Sequence, residues 1–145
     1  GMGLVAACDI VLAGPSSTFA LTESRLGLAA SVISLTVLPR IDPRAASRIF
    51  LTGEKFDAAE AARIGLVTQA PQDLSAALAE LTGDLAKCSP QGLRESKSLV
   101  THELLVHLDE HRDRVATQSS RLFSSEEARE GMTAFLERRA PRWSA

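Results

Sequence analysis

The sequence lacks an excess of charge of either sign, a long hydrophobic run and a cysteine motif. Its 145 residues carry a net charge of −2, which gives no reason to expect nucleic acid or an anionic membrane as a partner. The longest apolar run, residues 26–38, is shorter than the roughly 20 residues that a membrane-spanning helix requires. Cys8 and Cys88 have no CxxC spacing and indicate buried thiols of a reducing compartment. We therefore expect a cytoplasmic protein.

Apolar residues are plentiful enough to form a hydrophobic core. They make up 45% of the chain, and a chain of this length is typical of a single domain. These values indicate a globular protein.

One carboxylate, Glu23, lies within an otherwise apolar segment at residues 19–41. A carboxyl group in such surroundings is desolvated and could hold or transfer a proton near neutral pH. The alternative is an exposed Glu23 that pairs with its neighbour Arg25 in a turn, because charged residues are usually exposed. The residue pattern alone leaves both interpretations open.

Short apolar runs in the first half predict a buried sheet. Residues 4–8 suit a buried helical turn, which ends at Asp9, and residues 10–13, 18–21 and 66–68 suit short strands. Strands that are apolar on both faces are typical of a parallel sheet covered by helices, so we predict an α/β fold. We expect Asp9 to cap or satisfy backbone groups.

Helix start and stop signals dominate the rest of the chain. Asp42 followed by proline predicts a helix that closes at Gly53, and Asp57 predicts a second helix that ends at Gly65. Three further helices are predicted at residues 73–87, at residues 90–123, and from Ser124 or Ser125 to about Arg138. The second half is therefore a set of helices.

Three histidines, His102, His107 and His111, raise the question of a metal site. His102 and His107 form an HExxxH pattern, which is one residue too long to place both imidazoles on one helix face. His107 and His111 have helical spacing, but the sequence offers no third ligand, so we assign no metal and expect a solvated helix face.

Four segments in series resemble landmarks of the crotonase superfamily, the enoyl-CoA hydratases and isomerases. They read GMGLVAACDIVLAG, FALTESRLGL, FLTGEKFDAAEAARIGLV and EGMTAFLERRAPRW. The resemblance implies the C-terminal part of a ββα spiral at residues 1–70, carrying Glu23, followed by a helical trimerisation and CoA-covering region at residues 71–145. It also implies an acyl-CoA thioester as substrate and a homo-oligomer, either a trimer or a hexamer.

The resemblance assigns roles to individual positions. Glu23 corresponds to the family's general acid, which protonates C2 of the thioester. Gly3 stands where hydratases of the family carry a second glutamate, which positions water. The two N–H donors of the oxyanion hole precede Gly1, and residues 1–3 complete the substrate-binding glycine loop.

The absence of a carboxylate at Gly3 leaves three functions open. A single acid at Glu23 is what isomerases of the family use to move a proton between C2 and C4. The wording around Glu23 is nevertheless similar to a bacterial branch of hydratases, the methylglutaconyl-CoA-like type, although Ala30 replaces the usual proline. We favour a hydratase over an isomerase, and the third possibility is a truncated, inactive fragment without an oxyanion hole.

Two residues near the C-terminus correspond to family positions that close over CoA. Phe135 and Arg138 lie three apart on the last predicted helix, where an aromatic ring would cover the ligand and an arginine would pair with phosphate. The alternative is a packed Phe135 and a solvated Arg138. No cofactor is expected, because coenzyme A is part of the substrate.

Overall fold

The computed structural model describes residues 1–144 and is mostly helical, with one small sheet. In chain order its elements are α1 (Met2–Ala7), β1 (Thr18–Phe19), α2 (Ser31–Val37), α3 (Pro43–Thr52), β2 (Phe56–Asp57), α4 (Ala58–Arg63), α5 (Leu74–Ala86), α6 (Pro90–Phe123) and α7 (Glu126–Leu136). Two short 3-10 turns lie at Glu23–Leu26 and Arg142–Ser144.

The predicted parallel sheet is wrong. β1 and β2 pair antiparallel, and the rings of Phe19 and Phe56 stack with their centroids 5.7 Å apart. Residues 10–13 and 66–68 form no strands, and the parallel pairing is one isolated bridge between Leu12 and Gln69. The ladder is interrupted because the Val11 N–H donates to the side-chain Oγ1 of Thr68 at 3.0 Å.

The helix start signals are confirmed. The Asp42 carboxylate accepts hydrogen bonds from the N–H groups of Arg44 and Ala45 at 2.9 and 3.0 Å, and Asp57 caps α4 in the same way. Of the two serines considered for the last helix, Ser125 is the cap. That helix ends at Leu136, two residues before the predicted Arg138.

The contiguous hydrophobic core is built by the first half of the chain. Its buried members run from Met2 to Val67, with Val37 and Ile49 fully enclosed. By contrast, α5 buries no residue and α6 buries only Val115 along 34 residues. The long helix α6 reaches the first half by packing on α2.

Both cysteines and Asp9 differ from expectation. Cys8 and Cys88 are exposed, because Cys8 caps the C-terminus of α1 and Cys88 lies in the short connection after α5. Asp9 Oδ2 forms an ion pair with Lys97 Nζ at 2.6 Å, which connects the end of α1 to α6. Among residues 1–144, no helix combines the length and apolar character needed to cross a bilayer.

Candidate active site

The segment that carries Glu23 is a 3-10 turn, Glu23–Leu26, anchored to the end of α3. The Arg25 side-chain Nε donates to the carbonyl oxygen of Thr52 at 2.9 Å, and the Ser24 hydroxyl donates to that of Leu51 at 3.4 Å. These bonds satisfy carbonyl groups that the last turn of α3 leaves free. In the described chain Arg25 forms no ion pair with Glu23, so the alternative interpretation, in which the two residues pair within the turn, is wrong.

Two glycines let α7 approach this turn closely. Gly27 ends the turn in the left-handed conformation, with φ +71°, and its N–H donates to the Glu23 carbonyl. A Cβ added at Gly27 would lie 2.5 Å from the carbonyl carbon of Glu127, and one added at Gly131 would overlap the carbonyl group of Leu26. The backbone of α7 therefore fixes the position of the turn from one side, while α3 fixes it from the other.

The Glu23 side chain is half-buried, and its Oε2 has no hydrogen-bond partner among the described residues. A buried polar atom without a partner costs free energy, and such atoms are rare outside functional sites. The Glu23 carboxyl group therefore has hydrogen-bonding capacity that the described residues leave unused.

Glu23 faces a cavity of about 490 Å³. Its polar lining is Glu23, Ser31, Thr36 and Ser119, together with the backbone of Gly3. Its apolar lining is Leu28, Ala29, Ala30, Val32, Ile33, Leu35, Leu108 and Phe123. Glu23 is the only charged residue in this lining, so it is the only carboxyl group at the cavity wall in residues 1–144.

The cavity wall at Gly3 has no room for a second carboxylate as the side chains stand. A Cβ added to Gly3 would lie 2.5 Å from Cγ1 of Ile33. The Thr36 hydroxyl also donates to the Gly3 carbonyl at 3.0 Å, which holds α1 against α2. The side chain of Ile33 thus occupies the space into which residue 3 would extend.

The structure brings together two of the predicted site residues. Gly3 and Glu23 line the same cavity, whereas Gly1 is exposed at the start of α1, where its carbonyl accepts hydrogen bonds from residues 4 and 5. Phe135 is 70% exposed, and neither it nor Arg138 lines the cavity.

Sequence reasoning missed the contribution of α6 to the cavity. Leu108, Ser119 and Phe123 all line it. Their spacings of eleven and four residues place them on one helix face. That periodicity was visible in the sequence, but an ordinary core-facing stripe has the same pattern.

Arg138 adopts a strained backbone conformation. It has φ +55°, and no other residue except glycine has a positive φ in residues 1–144. The N–H of Arg138 donates to the Phe135 carbonyl and that of Arg139 donates to the Ala134 carbonyl, which is the Schellman arrangement that usually places glycine at this position. The Arg138 side chain has no hydrogen-bond or ion-pair partner in the described chain. An arginine in a backbone conformation that favours glycine is a candidate for function.

Replacing Arg138 separates backbone strain from ligand binding. We expect Arg138→Gly to raise the free energy of unfolding by about 0.5–1 kcal/mol, because glycine adopts the left-handed conformation without a Cβ clash. Arg138→Ala keeps the strain and should leave stability close to that of the parent. If Arg138 pairs with a phosphate of CoA, both variants weaken acyl-CoA binding about tenfold. Unchanged binding by both variants in calorimetry would contradict this role.

Glu130 holds the segment after α7 in place. Its carboxylate accepts hydrogen bonds from Arg139 at 2.7 and 3.1 Å and from the Arg142 N–H at 3.0 Å. The Arg139 hydrogen bonds, reinforced by the Arg142 N–H, lower the pKa of Glu130 from 4.5 to about 2. The C-terminal segment is therefore tied back onto α7 by a charge-assisted contact.

The lowered pKa of Glu130 gives this contact a defined pH dependence. A carboxylate whose pKa is lower in the folded state stabilises the fold fully above its unfolded pKa, and this stabilisation disappears as the pH falls through the folded pKa. We expect the stability difference between the parent and Glu130→Gln to be constant above about pH 5 and to shrink between about pH 4.5 and pH 2. Urea unfolding across this range measures it, and a difference that grows on acidification would contradict the assignment.

Comparison with known proteins identifies relatives along the whole chain. A family model described as "Enoyl-CoA hydratase/isomerase" matches residues 1–145. A solved structure of an enoyl-CoA hydratase from Mycobacterium avium is 56% identical, with a TM-score of 0.96, and the match covers 98% of this chain and 57% of that one.

Curated relatives include both hydratases and isomerases. The cyclohexa-1,5-dienecarbonyl-CoA hydratase of Thauera aromatica is 31% identical, and the match covers 99% of this chain and 56% of the relative. The mitochondrial Delta(3,5)-Delta(2,4)-dienoyl-CoA isomerase of Dictyostelium discoideum is 30% identical, covering 97% of this chain and 50% of the relative. This chain therefore spans little more than half the length of these relatives.

Proposed function

Because the chain belongs to the enoyl-CoA hydratase/isomerase family, we propose that it adds water across the 2,3 double bond of an enoyl-CoA thioester, with Glu23 as the general acid. The observation that carries this proposal is that Glu23, whose buried Oε2 has no hydrogen-bond partner among residues 1–144, lines a mostly apolar cavity. A carboxyl group at the wall of an apolar cavity can exchange a proton with a carbon atom of a bound acyl group.

The proposed hydration requires two proton transfers: one to C2, and one from the water that attacks C3. Water attacks C3, the electron pair of the double bond moves toward C2 and the thioester carbonyl, and the Glu23 carboxyl group protonates C2. The proton that water loses then restores the Glu23 carboxyl group, so the net change is the addition of one water molecule. The hydroxyl groups of Ser31, Thr36 and Ser119 are the remaining side-chain groups in the lining that can hydrogen-bond that water.

Isomerisation is the second candidate, and the contact between Gly3 and Ile33 favours it. Because Ile33 fills the space beside Gly3, no second carboxylate can hold the attacking water from that position. A single carboxylate is sufficient to remove a proton from C4 of a 3-enoyl-CoA and return it to C2, which moves the double bond without adding water.

Two substrates distinguish these candidates in the purified 145-residue chain. Crotonyl-CoA reports hydration through the loss of its enone absorbance, and 3-hexenoyl-CoA reports isomerisation through the gain of that absorbance. Hydration of crotonyl-CoA supports the first candidate. Turnover of 3-hexenoyl-CoA alone supports the second, and no turnover of either substrate contradicts both and favours an inactive chain.

The proposed reactions move only protons and water, so they require no cofactor beyond the coenzyme A of the substrate. We also propose a cytoplasmic location.

We also expect a homo-oligomer, either a trimer or a hexamer, because the helices of the second half expose large apolar side chains. Leu99 is 78% exposed, and Val100, Leu105, Phe123 and Leu136 are also exposed. Apolar exposure on this scale is typical of an interface. Sedimentation should give a mass that is a multiple of 15.5 kDa, and a single monomeric species would contradict the expectation.

A further inference from the structure

We infer that the cavity selects an acyl group without a charge of its own, and excludes acyl groups that end in a carboxylate. This inference rests on the proposed function and narrows its substrate class. The evidence is the composition of the cavity wall, which is mostly apolar and contains no cationic side chain among residues 1–144.

Apolar side chains form most of the cavity wall. α2 contributes Val32, Ile33 and Leu35, and α6 contributes Leu108 and Phe123. Contact with these groups stabilises an aliphatic or aromatic acyl chain in proportion to the apolar area that it buries. They offer no hydrogen bond to a polar substituent.

No cationic side chain lies in the wall among residues 1–144, and Glu23 is its only charged residue. Two arginines of the first half donate to backbone carbonyl groups: Arg25 donates to the carbonyl of Thr52 and Arg40 donates to that of Ala6. A carboxylate on the acyl chain would lose its hydration without gaining an ion pair in exchange. The cavity therefore discriminates against such a ligand by leaving its charge unpaired.

The hydroxyl groups of Ser31, Thr36 and Ser119 in the wall are neutral, so they cannot replace a cation. The Thr36 hydroxyl donates to the Gly3 carbonyl at 3.0 Å, and the Ser31 hydroxyl is directed to the Ala29 carbonyl at 3.4 Å. Both donors therefore already have backbone acceptors. Only a cationic side chain placed in the wall would reduce the preference for an uncharged acyl group over one that ends in a carboxylate.

A matched pair of unreactive ligands tests this inference independently of turnover. Hexanoyl-CoA and adipoyl-CoA differ only at C6, which is a methyl group in one and a carboxylate in the other. We expect hexanoyl-CoA to bind the 145-residue chain on the order of 100-fold more tightly than adipoyl-CoA in calorimetry. Equal binding of the two ligands, or binding of neither, would overturn the inference.

A cation placed in the wall should reduce this preference. Val32 lines the cavity and is 55% exposed, so Val32→Lys is expected to fold. It should lower the ratio of the adipoyl-CoA to the hexanoyl-CoA dissociation constant at least tenfold. Leu51→Lys adds the same charge at an exposed position of α3 that does not line the cavity, and it should leave the ratio unchanged. An equal effect of both variants would overturn the inference.

The binding and turnover measurements together separate the inference from the proposed reaction. Selective binding without hydration of crotonyl-CoA would support the cavity assignment and contradict the proposed function. Hydration with equal binding of hexanoyl-CoA and adipoyl-CoA would support the proposed function and contradict the inference.

Discussion

Glu23→Gln is expected to lower the rate of acyl-CoA turnover by about 10²–10⁴-fold, because the amide can neither donate nor recover the proton at C2. Glutamine has nearly the shape of glutamate, so the cavity should be preserved. The loss should appear in kcat as well as in kcat/KM, since the proton is transferred only in the reaction step. The measurement is steady-state kinetics on whichever of the two enoyl-CoA substrates the parent converts.

The control for this variant is a glutamate of the same charge outside the cavity. Glu95 lies on the exposed surface of α6, and Glu95→Gln should leave the rate within a factor of two or so, as expected for a surface substitution. The thermal midpoint of Glu23→Gln should be no lower than that of the parent, because the buried Oε2 has no partner to lose. If Glu23→Gln kept more than a tenth of the activity, Glu23 would not be the acid.

Gly131→Ala is expected to destabilise the fold by about 2–3 kcal/mol, although alanine usually favours a helix over glycine. The added methyl group would overlap the carbonyl group of Leu26, which belongs to the turn that carries Glu23. A backbone group cannot rotate away as a side chain can, so α7 and the turn must separate. Urea unfolding measures the loss of stability.

The same substitution should reduce activity without touching the cavity. A displacement of the turn by about 1 Å would misplace the Glu23 carboxyl group and can cost about 10²-fold in rate. Gly83→Ala is the matched control, because Gly83 also lies inside a helix but has no atom within 4 Å of an added Cβ. It should stabilise α5 by about 0.5–1 kcal/mol. Equal effects of the two variants would contradict the role assigned to Gly131.

The sequence predicted the helices well because their ends are set by local interactions. Asp42, Asp57 and Ser125 each cap a helix through contacts within three residues, so the signal and its partner lie in the same short segment. The end of α7 was placed two residues too far, because the left-handed conformation usually marked by glycine is adopted there by Arg138.

Strands and site contacts were harder to predict because they depend on distant residues. Apolar runs at residues 10–13 and 66–68 looked like buried strands, yet the single bridge in this region joins Leu12 to Gln69, one residue beyond the second run. The contact between Ile33 and Gly3 joins segments 30 residues apart in the sequence. The family resemblance singled out Gly3 and Glu23, but the filling of the space beside Gly3 by Ile33 required the structure.

The most direct test of this account is a crystal structure of the chain with hexanoyl-CoA. The account predicts that the Glu23 carboxyl group lies about 3–3.5 Å from C2 of the thioester, with the acyl chain in the cavity beside Ile33. An acyl chain bound elsewhere, or a C2 atom out of reach of Glu23, would contradict the assignment of this cavity as the active site.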